Sequence, residues 1–204
     1  MERKNLFEQV GSEEALKLLK EGNKRYLNNQ PSGNHDPAGV RAGLASKGQV
    51  PFAVILGCAD SRVPPEIIFD AGAGQLFVVR TAGNVADKVA VGSIEFAVEQ
   101  LKARLIVVLG HDKCGAVAAA ISGGDFGPNL TAIISEIKPS VDKLREFEKD
   151  ENFLAKCEDE NISNTVEKLK KSDILGKYLA DGSLEITGAK YDLESGVVTY
   201  IESL

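Results

Sequence analysis

Two apolar runs of strand length in this chain end alike. Phe52-Ala53-Val54-Ile55-Leu56 passes into Gly57-Cys58-Ala59-Asp60-Ser61-Arg62. Leu105-Ile106-Val107-Val108-Leu109 passes into Gly110-His111-Asp112-Lys113-Cys114-Gly115. An unbroken apolar run is covered on both faces, which marks a central strand of a parallel sheet. Open α/β sheets collect ligands at the carboxyl ends of such strands. If the two runs lie parallel in one sheet, Cys58, His111 and Cys114 meet at one point despite their distance along the chain.

The rest of the pattern fits the same architecture. Residues 12–29 read as an amphipathic helix with Ser12 as N-cap and a stripe of Leu16, Leu19, Asn23 and Tyr26 or Leu27. A polar loop follows, from Asn28 to Gly39. A short helix is expected over Glu66–Ala71, a strand over Gln75–Arg80, a turn at 81–84 and a helix over 87–102. Gly115–Ser122 is a small-residue helix stopped by Gly123-Gly124. Residues 130–171 read as helical in pieces, with Pro139 marking a break or kink. Ser183–Ala189 and Gly196–Tyr200 pair as a hairpin around Asp192–Gly196. The fold class is therefore α/β: a central, mostly parallel β-sheet with an antiparallel C-terminal strand, flanked by helices. With 204 residues, the chain is expected to be a single domain (1–204). It divides into an N-terminal helical arm (1–40), a site-bearing core (50–122) and C-terminal helices and edge strands (130–204).

Composition narrows the function. A net charge of −6 with scattered basic residues argues against nucleic acid. No run approaches the ~20 apolar residues of a membrane span, and no signal peptide opens the chain, so a cytoplasmic location is expected. Three cysteines are an odd count, and in a reducing compartment they favour metal or catalytic roles over disulfides. With two histidines, a histidine-rich metal site is excluded.

Two thiolates and one imidazole are a standard zinc set, and three protein ligands leave the fourth tetrahedral position open, as catalytic sites do. Zn²⁺ with two thiolates and a neutral imidazole has no net charge, so it should acidify its water less than a three-histidine site, and activity should rise into the alkaline range. Asp60 and Arg62 follow Cys58, and strand alternation would put all three on one side. Asp60 as a carboxylate only accepts hydrogen bonds, so it would orient a hydroxide on the metal toward an electrophile, with Arg62 forked onto it. Freed from Arg62, Asp60 could itself ligate the metal in a closed state. Among the remaining candidates, Cys157 reads as structural and His35 as a solvated loop residue. Arg80 reads equally as a structural partner or an anion contact.

At these residues the chain resembles the β-class carbonic anhydrases. The matching segments are Cys58-Ala59-Asp60-Ser61-Arg62 and His111-Asp112-Lys113-Cys114-Gly115. They extend to Phe77-Val78-Val79-Arg80-Thr81-Ala82-Gly83-Asn84, Gly92-Ser93-Ile94-Glu95 and Gly188-Ala189-Lys190-Tyr191-Asp192. The resemblance implies reversible hydration of CO₂ to bicarbonate, with one zinc per subunit held by Cys58, His111 and Cys114 and supported by Asp60 and Arg62. It implies a dimer or dimer of dimers, with the N-terminal helix packing on a partner subunit. Some relatives bind inhibitory bicarbonate with a Trp three positions before the first cysteine. Here that position is Ile55 and Trp is absent, which favours the open, water-bound form. Hydrolysis of COS or CS₂ on the same metal is the alternative reaction, and a structural zinc module the alternative class.

Overall fold

β1 (Ala53–Cys58) runs parallel to β2 (Leu76–Thr81) on one side and to β3 (Leu105–His111) on the other. β4 (Glu185–Tyr191) continues parallel beside β3, and β5 (Val198–Ile201) closes the sheet antiparallel to β4. The order is β2-β1-β3-β4-β5 in this computed structural model, which describes residues 7–32 and 37–201. His35 lies outside the described residues. The expected sheet is thus present, with its antiparallel final strand.

Every residue of β1 and of β3 is buried, because the sheet is covered on both faces. Val54, Leu56, Ile106 and Val108 pack on one face against α4 (Lys88–Glu99) and α7 (Phe153–Lys170). Ala53, Ile55, Val107 and Leu109 pack on the other face against α1 (Ser12–Leu27). The alternation of strand side chains divides each apolar run between these two cores.

The chain leaves β1 through α3 (Pro65–Ile68) toward β2. It leaves β3 the opposite way, through α5 (Gly115–Ser122), α6 (Pro128–Lys143), α7 and α8 (Asp173–Ala180), toward β4. Adjacent strands whose connections diverge leave a crevice at their carboxyl ends. In register, Gly57 lies beside Leu109, so Cys58 and His111 end their strands at nearly the same level.

Several local expectations are corrected. α1 is capped by Gly11, and Ser12 is its first helical residue with no side-chain cap. Its buried face is Ala15, Leu18, Leu19, Gly22 and Asn23, rotated from the expected stripe, and it rests on the chain's own sheet. Gly22 permits this, since a Cβ there would meet the Phe69 carbonyl oxygen at 1.9 Å. α2 (Pro37–Lys47) begins where a loop was expected to run to Gly39. Its alanines and glycines present too weak an apolar stripe to read as helix. Pro139 lies inside α6 without ending it. Pro139 is exposed, and so is Ser135, the residue whose carbonyl it leaves unpaired, so water can satisfy that group. The break comes instead after Lys143. Among the described residues no helix is long and apolar enough to cross a membrane.

Candidate metal centre

Cys58 ends β1, His111 ends β3, and Cys114 is the N-cap of α5. Their ligating atoms all lie within 4.8 Å of one another, and all three residues are buried. The convergence expected from the two strand ends is therefore present.

The imidazole is already committed to one tautomer. His111 Nδ1 lies 2.7 Å from the carbonyl oxygen of Asp112, so Nδ1–H donates and Nε2 carries the lone pair. Nε2 is buried with no hydrogen-bond partner. An orphaned acceptor of this kind beside two sulfurs is what a thiophilic cation such as Zn²⁺ requires. The surroundings are also receptive to positive charge. Contact with the Cys114 thiol holds Cys58 well below the usual thiol range, while the same contact and burial push Cys114 up. Burial opposes charging of His111, yet the neighbouring Cys58 and the Asp112 carbonyl raise its proton affinity overall. Groups that raise a proton's affinity raise a metal cation's too.

Asp60 and Arg62 reach the centre by a different route from the one expected. β1 stops at Cys58, so strand alternation does not place them. A turn does: Arg62 N–H donates to Asp60 Oδ1 at 2.9 Å, and Val63 N–H to the Asp60 carbonyl at 3.0 Å. The Arg62 side chain then forks back, Nε to Oδ1 at 2.9 Å and a terminal nitrogen to Oδ2 at 2.7 Å. This fork holds Asp60 well below the usual carboxylate range, despite partial burial. Asp60 Oδ2 stands 3.8 Å from His111 Nε2, facing the point where the three donor atoms converge.

Arg80 is a structural partner. Its Nε donates to the Cys58 carbonyl at 2.9 Å and a terminal nitrogen donates to the Asp60 carbonyl at 2.5 Å. It thereby ties β2 to the turn that carries the dyad. Gly83 adopts φ 68° in the 3₁₀ turn after β2, and its N–H donates to Cys58 Sγ at 3.4 Å. A Cβ at Gly83 would stand 2.7 Å from Ile137 Cδ1, so the close approach needs glycine. Cys157 is buried in the apolar cluster that also packs Cys58 and Cys114, but it is not one of the three converging donors, in keeping with a structural role.

Two residues that touch the backbone of this centre, Glu158 and Asn161 on α7, went unread in the sequence, as did the pairing of Glu158 with Lys190 on β4. Glu158 accepts the N–H of Cys114, and Lys190 Nζ pairs with Glu158 at 3.1 Å. Asn161 donates to the carbonyl of Gly83. A buried Glu and a buried Asn on an amphipathic helix look like face-to-solvent residues in a linear pattern, and that pattern carries no signal of burial.

A family model described as carbonic anhydrase matches residues 53–198. The chain belongs to the β-carbonic anhydrase family. Carbonic anhydrase 2 of Mycobacterium tuberculosis is 46% identical over 195 residues, which cover 89% of each chain. Among solved structures, a tetrameric β-carbonic anhydrase of the ascomycete Sordaria macrospora superposes with TM-score 0.75 at 25% identity, covering 94% of this chain and 98% of that one. The Coccomyxa β-carbonic anhydrase in complex with acetazolamide gives 0.74 at 27%, covering 91% and 86%.

Proposed function

We propose that this chain catalyses the reversible hydration of CO₂ to bicarbonate and a proton, with one zinc per subunit held by Cys58, His111 and Cys114. The observation that carries the reading is the three buried donor atoms within 4.8 Å of one another, with the fork-held Asp60 facing them. Zinc, when bound, supplies a Lewis acid that lowers the pKa of water and so makes it a nucleophile.

The chain's own residues do the rest. Asp60 is held as a carboxylate and can only accept. A water beside it donates to Oδ2, which turns a lone pair of the water oxygen toward the carbon of CO₂. Arg62 fixes the carboxylate rotamer with both of its hydrogen bonds. Arg80 fixes the backbone on which both depend. With both carboxylate oxygens occupied by Arg62, Asp60 stands in the open arrangement. A closed state, in which it ligates zinc, would compete with the Arg62 bond to Oδ2, the oxygen that faces the centre.

A structural zinc module would need a permanent fourth ligand. Among the described residues the cluster holds three donors, and Asp60 is engaged elsewhere. The subunits are read as dimers or dimers of dimers, with the outer surface of α1 against a partner, in keeping with the tetrameric Sordaria relative. Location is read as cytoplasmic, in keeping with three free cysteines.

The test is stopped-flow CO₂ hydration on zinc-loaded protein, with zinc content measured alongside. Fast turnover with one zinc per chain is expected. Full zinc occupancy without hydration at any pH would transfer the reading to COS or CS₂ hydrolysis, or to a closed site.

A further inference from the structure

α7 bears on the metal centre without supplying a ligand. Glu158, 3% exposed, accepts the backbone N–H of Cys114 on Oε1 at 2.9 Å. Its Oε2 lies 3.1 Å from Lys190 Nζ, which also reaches Asp159 Oδ1 at 2.8 Å and the Ala155 carbonyl at 3.2 Å. One turn along the same helix, Asn161, 2% exposed, donates Nδ2 to the carbonyl of Gly83 at 2.8 Å. Gly83 in turn donates its N–H to Cys58 Sγ. Two side chains three positions apart therefore touch the backbone that sets both sulfurs.

The cost of this arrangement argues for its use. A buried carboxylate is retained only when it is paired and hydrogen-bonded, and an apolar residue at such a position is often no less stable. Cys114 is the N-cap of α5, so its own N–H lies outside the helical ladder and needs an acceptor from elsewhere. Glu158 supplies one and fixes the plane from which the Cys114 side chain leaves. Asn161 does the same for the Gly83 turn, which otherwise could drift away from Cys58.

We propose that Glu158, braced by Lys190, and Asn161 form a two-point clamp that positions the two cysteine ligands and sets how firmly the centre retains zinc. They are positioning residues: neither reaches the reacting atoms. The inference rests on the reading of Cys58 and Cys114 as ligands.

The experiment uses the zinc-loaded full-length chain. Zinc release to a chromophoric chelator is timed for the parent, Glu158→Gln, Asn161→Ala and Val166→Ala. Val166 is a fully buried α7 residue that packs against the sheet, away from the centre. Thermal midpoints measure the general loss of stability, and the visible spectrum of the cobalt-substituted proteins reports ligand geometry. Glu158→Gln and Asn161→Ala should release zinc about 10- to 100-fold faster than the parent and shift the cobalt bands. Val166→Ala, at an equal or lower midpoint, should do neither. Release rates that follow the midpoint alike in all three variants, with unchanged cobalt spectra, would overturn the clamp. Should Glu158→Gln not fold, Asn161→Ala decides by the same two readouts. A parent lacking thiolate-to-cobalt absorption fails earlier, at the ligand assignment, and the clamp falls with it.

Discussion

Arg62 holds both carboxylate oxygens of Asp60, at 2.9 and 2.7 Å, while Asp60 Oδ2 stands 3.8 Å from His111 Nε2. The guanidinium is thus a rotamer lock on a side chain that faces the centre without belonging to the Cys58–His111–Cys114 cluster. Asp60→Asn keeps the size but halves the accepting capacity and offers a donor in its place. It should keep zinc and lose about 10²–10⁴-fold in hydration rate, the range of a lost proton-handling group. Metal analysis and stopped-flow kinetics on the same sample check this, and unchanged turnover would remove Asp60 from the mechanism. Arg62→Gln should also lose rate, through release of Asp60.

Arg80 donates to the carbonyls of Cys58 and Asp60. Arg80→Met removes a donor from each carbonyl; Asp60 keeps its bond from the Val63 N–H, while the lost donor to Cys58 costs roughly 1–3 kcal/mol if water does not replace it. The expected result is a lower thermal midpoint together with a fall in hydration rate. Arg80→Lys, which cannot fork, should recover little. A variant with normal rate and normal melting would show that the turn holds itself.

The orphaned Nε2 makes a prediction about metal removal. His111→Ala or Cys114→Ser should sharply reduce the zinc that co-purifies. Chelation of the parent should abolish hydration, and restored zinc should restore it. Loss of the metal should also lower the melting temperature, because a ligand bound only to the folded chain stabilises it. Full retention of zinc by both variants would place the metal elsewhere.

The pH dependence follows from the sign of the Asp60 shift. Its pKa is depressed by the Arg62 fork. Its contribution to folding is therefore complete above the ordinary carboxylate value of about 4, and is lost only as pH falls through the depressed value. Asp60 thus stays ionised across the working range and does not shape the rate there. A zinc ion bound by two thiolates and a neutral imidazole carries no net charge, unlike a three-histidine site whose water titrates near pH 7. Hydration should rise into the alkaline range. A profile already flat at roughly pH 6.5 would contradict the charge argument.

Gly110 precedes His111 in β3, and a Cβ there would meet Ile162 Cδ1 at 2.5 Å and Cγ1 at 2.6 Å. Gly110→Ala should cost about 1–3 kcal/mol by overpacking. Adding Ile162→Val removes the nearer carbon and should recover part of the loss. Urea unfolding of the two single variants and the double variant reads the coupling, and strict additivity would show that α7 yields freely.

The sequence alone determined the chemistry and its local geometry. Cys58, His111 and Cys114 stand at the ends of apolar runs, His111 and Cys114 are three apart at a strand-to-helix junction, and Asp60 and Arg62 follow Cys58 within four positions, although a turn rather than strand alternation aims them. All of these are short-range relations, and short-range relations leave a mark in the order of residues. The tertiary structure alone decided what holds that geometry. Glu158, Lys190 and Asn161 reach the centre from distant segments, and Arg80 braces the turn through the Cys58 and Asp60 carbonyls. α1 spent its apolar face on its own sheet, with Gly22 against Phe69. The physical reason is the same in each case. A hydrogen bond between residues many positions apart depends on which elements pack together, and packing is settled by how the helices cover both faces of the sheet, not by any pattern along the chain.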